Sequence, residues 1–119
     1  MITEEFAKHF AAQWVNSRNS HNLETILAHY SEDFTIETPM TLKLVPESKG
    51  LITGKAAIRS YWTIGLEKIP DLEFEILNVL TGINSLTIYY VNKATQRKST
   101  ESMFFNAEGK VNKVFVHYS

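Results

Sequence analysis

One carboxylate in this chain sits where carboxylates are rare. Glu101 lies in the run Thr100-Glu101-Ser102-Met103-Phe104-Phe105, followed by Asn106-Ala107-Glu108-Gly109 and Lys110-Val111. The run reads as a strand and a turn, so Glu101, Met103 and Phe105 share one face. A carboxylate on an apolar face must be hydrogen-bonded, paired or protonated, because a bare buried charge is too costly. Desolvation raises the pKa of such a group and suits it to donate a hydrogen bond or a proton. Glu101 is therefore the candidate catalytic residue. The plainer reading is a structural carboxyl held by a neighbouring Trp or Tyr, with no chemistry.

Trp14, Tyr30 and Trp62 fall on three helical faces expected to converge. They are core, pocket wall or both, since a pocket is the unfilled part of a core and is commonly aromatic-lined. Their polar tips want partners when buried. On the last strand Val114, Val116 and Tyr118 share a face, opposite Lys113, Phe115 and His117. Thr38 could give a hydroxyl to a ligand. The candidate ligand-binding residues are thus Trp14, Tyr30, Thr38, Trp62, Met103, Val116 and Tyr118. Asp33 and Glu37 are acids at a pocket mouth or, more plainly, solvated charges. The four histidines, His9, His21, His29 and His117, lack metal spacing such as H-E-x-x-H, so no metal site is expected. No Ser-His-Asp order, glycine-rich phosphate loop or nucleotide fingerprint occurs, and no cofactor is expected.

The elements that position these residues follow from periodicity. Phe6, Phe10 and Trp14 recur every fourth residue, with Ile2 a turn earlier, and predict a helix from Thr3 to Arg18. Thr3 can cap it, and Glu4 and Glu5 suit its positive end. Leu23, Ile26, Leu27 and Tyr30 predict a second helix capped by Asn22. Phe34 to Thr38 alternates as a strand and stops at Pro39. The stretch from Met40 to Thr53 is either a hairpin around Pro46-Glu47-Ser48-Lys49-Gly50 or a loop that acts as a lid. Gly54 to Trp62 opens a third helix with Ile58, Tyr61, Trp62 and Gly65 on one face, closed by Pro70. Four strands follow, 72–81, 86–92, 98–105 and 111–118, and their short turns predict an antiparallel meander. Helices before a run of strands indicate an α+β domain with helices on one face of a curved sheet.

With 119 residues the chain fits a single domain, 1–119, with one core. Hydrophobic residues make up 44%, enough to argue against disorder. The net charge of -1 is scattered, which excludes a basic stripe for nucleic acid or a polybasic membrane patch. There is no cysteine, so disulfide and thiolate chemistry are excluded. No apolar run approaches the roughly 20 residues that span a bilayer. The start, Met1-Ile2-Thr3-Glu4-Glu5, does not read as a signal peptide, and a cytoplasmic location is expected.

The order and spacing of these parts resemble the nuclear transport factor 2-like superfamily, and more closely its ketosteroid isomerase and SnoaL-like polyketide cyclase branch. The resemblance rests on Trp14-Val15-Asn16, His21 to Tyr30, Glu32 to Pro39, Gly54 to Trp62 and Phe105 to Val111. It covers nearly the whole chain, with an apparent insertion between Pro39 and Gly54. It implies a cone of curved sheet closed by three helices around a deep apolar pocket. The family includes isomerases, cyclases, dehydratases, epoxide hydrolases and binders without activity, so the fold does not choose a reaction.

Residue by residue, the isomerase pattern mostly fails. The resemblance places Thr38 where the isomerases have an Asp general base, and Thr38 cannot take up a proton near neutral pH. It places Trp14 where they have a Tyr oxyanion donor. It places Glu101 where they have a protonated Asp, a conservative change. Ketosteroid isomerisation is therefore not expected. The expectation is a binder of a small, apolar, carbonyl-bearing molecule, anchored by Glu101 and Trp14, acting if at all as an isomerase, cyclase or dehydratase. The alternative is a module for binding or protein interaction without catalysis. Both sheet faces carry apolar groups while helices cover only one, so a homodimer through the outer sheet face is expected.

Overall fold

A computed structural model describes residues 1–119. Helix α1 runs Glu4–Ser20, and Thr3 caps it through its hydroxyl to the Phe6 N–H at 3.0 Å. Helix α2 is a single turn, Leu23–Leu27, capped by the Asn22 carbonyl side chain. The helical spacing that includes Tyr30 is misleading. Tyr30 opens strand β1, Tyr30–Glu37, because its backbone pairs with Val111 far along the chain. That long-range ladder outcompetes one more turn of a short helix.

The illegible stretch is neither a simple hairpin nor a structureless loop. It folds into helix α3, Met40–Leu44, a 3₁₀ turn, Pro46–Ser48, and strand β2, Leu51–Thr53. Pro39 precedes α3, where its missing N–H is no loss, and Thr41 donates its hydroxyl to the Thr38 carbonyl at 2.9 Å. Lys49 and Gly50 take positive φ to turn the chain back, so that Ile52 pairs antiparallel with Ile36. Helix α4, Lys55–Lys68, begins after Gly54, whose φ of 91° suits glycine.

The remaining strands, β3 (Phe74–Thr81), β4 (Ser85–Asn92), β5 (Arg97–Phe105) and β6 (Val111–Tyr118), form the expected antiparallel meander. The sheet as a whole is mixed, because β1 pairs parallel with β6 and gives the order β2-β1-β6-β5-β4-β3. Register shifts in β1, β3 and β6 bend it, and it stays open along β2 and β3. The architecture is the α+β, nuclear transport factor 2-like arrangement, with one helix more than the three expected.

Alternation sorts β5 cleanly. Ser99, Glu101 and Met103 are buried, and the residues between them are more exposed. The core joins this inner face to the α1 stripe through Phe10, which meets Phe105 edge-on. At the other end of α1, Asn19 clamps the backbone of Phe74. Its Nδ2 donates to the Phe74 carbonyl at 2.9 Å and its Oδ1 accepts from the Phe74 N–H at 2.7 Å. Replacing Asn19 with Ala should leave both backbone groups of a buried residue without partners and destabilise the fold by about 1–3 kcal/mol. Urea denaturation checks this, and an unchanged midpoint would refute it.

Candidate functional site

Glu101 stands opposite Ile88 on β4 and Val116 on β6, so its register alone places it deep on the concave face. It is only 4% exposed. Its diagonal neighbour on β4 is Tyr90, whose hydroxyl donates to Oε2 at 2.7 Å. Oε1 is buried and has no hydrogen-bond partner within the chain. Desolvation drives the Glu101 pKa up, while the Arg18 charge and the Tyr90 bond pull it back only in part. The tyrosine at 90 also titrates well above its ordinary value, chiefly by burial and then by the nearby carboxyl. It therefore remains a neutral donor.

Above this carboxyl lies a cavity of about 280 Å³. Ile36, Met40, Leu44, Leu66, Ile69 and Leu72 give it apolar walls, and Phe74, Tyr61 and Trp62 add aromatic ones. The exposed members of its lining, Lys68, Thr95 and Arg97, mark its mouth. Gly65 also lines it, and a Cβ built there meets nothing within 4 Å. Tyr61 and Tyr118 both titrate high, with burial the leading cause. The Thr38 side chain beside them offsets part of that rise.

Of the residues expected to bind a ligand, Thr38, Trp62, Val116 and Tyr118 line this cavity together with Glu101. Trp14, Tyr30 and Met103 do not. Each is at most 1% exposed and packed behind the wall. Trp14 is not a ligand anchor, because its Nε1–H, the single donor of an indole, goes to the Tyr30 hydroxyl at 3.1 Å. Its ring instead stacks on Phe74 and meets Tyr90 edge-on, backing two wall residues. Thr38 also helps to hold α3, since its Oγ1 accepts from the Met40 N–H at 3.3 Å. Asp33 and Glu37 are exposed and outside the lining.

Among the lining residues that the sequence reading did not single out, Tyr90 and Arg18 bear most on the chemistry. Tyr90 was one strand among four, although alternation with Leu86 and Ile88 points it inward. Arg18 was read as the end of α1. Its guanidinium lies 4.7 Å from the Trp62 ring centroid, 5.2 Å from Phe74 and 5.9 Å from Trp14. Such stacking on aromatic faces holds the cation inside the cavity. The signal was available, because Arg18 continues the every-fourth spacing of Phe6, Phe10 and Trp14.

A cone of curved sheet and helices around a part-filled interior defines a nuclear transport factor 2-like protein. Residues 11–117 match the SnoaL-like domain family, and the chain belongs to it. No curated protein matches the sequence. Among solved structures, a SnoaL-like protein of unknown function from Burkholderia thailandensis is similar at 34% identity and TM-score 0.93, covering 100% of this chain and 99% of that one. SalBIII, an epoxide hydrolase/cyclase-like enzyme in pyran ring formation in the polyether salinomycin, is similar in fold at 20% identity and TM-score 0.76, covering 100% and 95%. TerC, co-crystallised with polyporic acid, is similar in fold at 10% identity and TM-score 0.76, covering 95% and 91%.

The buried carboxyl has a pH signature. Because its folded pKa lies above the unfolded value, the folded state binds the extra proton, and stability falls as pH rises through the interval above 4.5. Glu101→Gln cannot ionise. Its stability relative to the parent should therefore be flat in acid, grow more favourable as pH rises from 4.5 to the raised folded pKa, and level off above it. Urea melts of both proteins across this range test the sign, and a difference independent of pH would refute it.

Proposed function

We propose that the cavity binds a small, largely apolar, carbonyl-bearing molecule, with Glu101 protonated and donating from Oε1 to the carbonyl oxygen. The observation that carries the reading is the buried Oε1 without a partner in the chain. An O–H there needs an acceptor, and a desolvated cavity wall is where such a donor polarises a carbonyl most strongly. The reaction class this supports is acid-assisted isomerisation, cyclisation or dehydration. Arg18 favours the carboxylate formed when the proton is given up. Two proteins of similar fold, TerC, which was co-crystallised with polyporic acid, and the epoxide hydrolase/cyclase-like SalBIII, support a small-molecule reading. A cytoplasmic location belongs to the same proposal.

A second reading, binding without catalysis, is favoured by one observation. The lining contains no His or Asp, and Thr38 stands where the resembling isomerases hold their base. A thermal-shift screen of apolar ketones, steroids and polyketide-like aromatics separates the two. A ligand at a hundredfold its Kd should add roughly 2.7 kcal/mol of stability. Under the enzyme reading, Glu101→Gln keeps an amide donor and most of the affinity but loses roughly a hundredfold in turnover or more. Unchanged turnover would remove Glu101 from the chemistry, and a bound ligand that is never converted would establish the second reading.

The proposal includes a homodimer through the outer sheet face, where Phe104 and Phe115 meet edge-on and Leu80 and Leu51 stand exposed. Light scattering should give twice the monomer mass, and Phe104→Glu should lower it to that of the monomer. A monomeric parent at micromolar concentration would end this part of the proposal.

A further inference from the structure

The charges that line the cavity are unbalanced. Arg18, Lys68 and Arg97 are cationic, and the single carboxyl is Glu101, which burial keeps toward its neutral form. Lys68 and Arg97 are exposed at the mouth, but Arg18 is drawn inside. No carboxylate lies within 4.0 Å of its guanidinium, and no side-chain or backbone oxygen of the chain accepts a hydrogen bond from it. It lies over the rings of Trp62, Phe74 and Trp14. Rings offer a cation no hydrogen-bond acceptor oxygen, so this contact leaves the five N–H donors of the guanidinium without partners in the chain. Those donors are in a fork that matches a carboxylate.

We infer that the ligand carries an anionic oxygen group, a carboxylate or an ionised enol, seated on Arg18, in addition to the carbonyl that Glu101 receives. The inference rests on the pocket reading above and narrows its substrate class from apolar carbonyl compounds to apolar keto acids and acidic enols. The mouth cations attract such a ligand through their field, and Arg18 fixes its orientation. The field and the fork act at different distances, so they separate by experiment.

The probes are naphthoate, its amide and its methyl ketone, three molecules of one apolar shape, titrated into the full chain by calorimetry near neutral pH. We expect naphthoate to bind about tenfold to a hundredfold more tightly than the amide, with the ketone nearer the amide. Arg18→Gln should abolish that preference while the ketone still binds. Arg18→Lys should keep part of it, as a point charge without the fork. Equal affinities for acid and amide in the parent protein would overturn the inference without any variant. A preference that survives in folded Arg18→Gln, or that vanishes instead in Lys68→Gln with Arg97→Gln, would also overturn it. Binding of the neutral ketone in those cases leaves the pocket reading standing. Failure of all three probes to bind the parent would overturn the pocket reading and this inference together.

Discussion

The fold is organised around the difficulty of keeping one carboxyl out of water. Glu101 is fixed by two strand ladders, β4 on one side and β6 on the other, and neither can slip by one residue without turning its whole face outward. The register that buries Met103 and Ser99 therefore buries Glu101 as well. Its cost is met by Tyr90 on Oε2 and by the Arg18 charge across the cavity, and what is left over appears as a raised pKa. Next to Arg18, Asn19 ties the end of α1 to Phe74, one of the rings beside the guanidinium. The clamp and the cation meet at Phe74, and the cation acts on the carboxyl through its charge.

Elements with strong local periodicity were legible in the sequence. Helix α1, helix α4 and the meander β3 to β6 lie close to where the spacing of Phe6, Phe10 and Trp14 and the alternation around Glu101 put them. The failures share a cause. Tyr30 fits a helical spacing, but its conformation is set by Val111 on the far side of the chain. The parallel pairing of β1 with β6 leaves no local mark, because periodicity shows which way a side chain faces and not which strand lies beside it. The segment 40–53 is too short in each of its pieces for any period to register.

The site was half legible for the same reason. Burial of Glu101 follows from alternation, so its place in the wall was readable. Trp14 was misjudged because an indole N–H was counted as free, whereas Tyr30 consumes it. Arg18 was missed because a basic residue in the last helical turn has an ordinary explanation in the helix dipole. Only the packing shows that its guanidinium turns onto Trp62 and Phe74. An arginine that continues an apolar stripe is the pattern that distinguishes a cation in a pocket from one at a helix end.

On the proposed reading, a single carboxyl limits the chemistry. Isomerisation needs a proton delivered to one atom and taken from another, and one group can do both in sequence. Cyclisation onto a polarised carbonyl returns the proton it borrows. Dehydration protonates a leaving hydroxyl, and the carboxylate so formed can accept a proton from the neighbouring carbon. In each case the group must begin neutral, which is the form that burial favours. Activation of water demands the opposite, an ionised base at the outset, and the lining contains neither His nor Asp to act as one. Glu101 is thus better suited to start a reaction as an acid than to attack with water, and Arg18 is the group that makes its ionised form tolerable once the proton has moved.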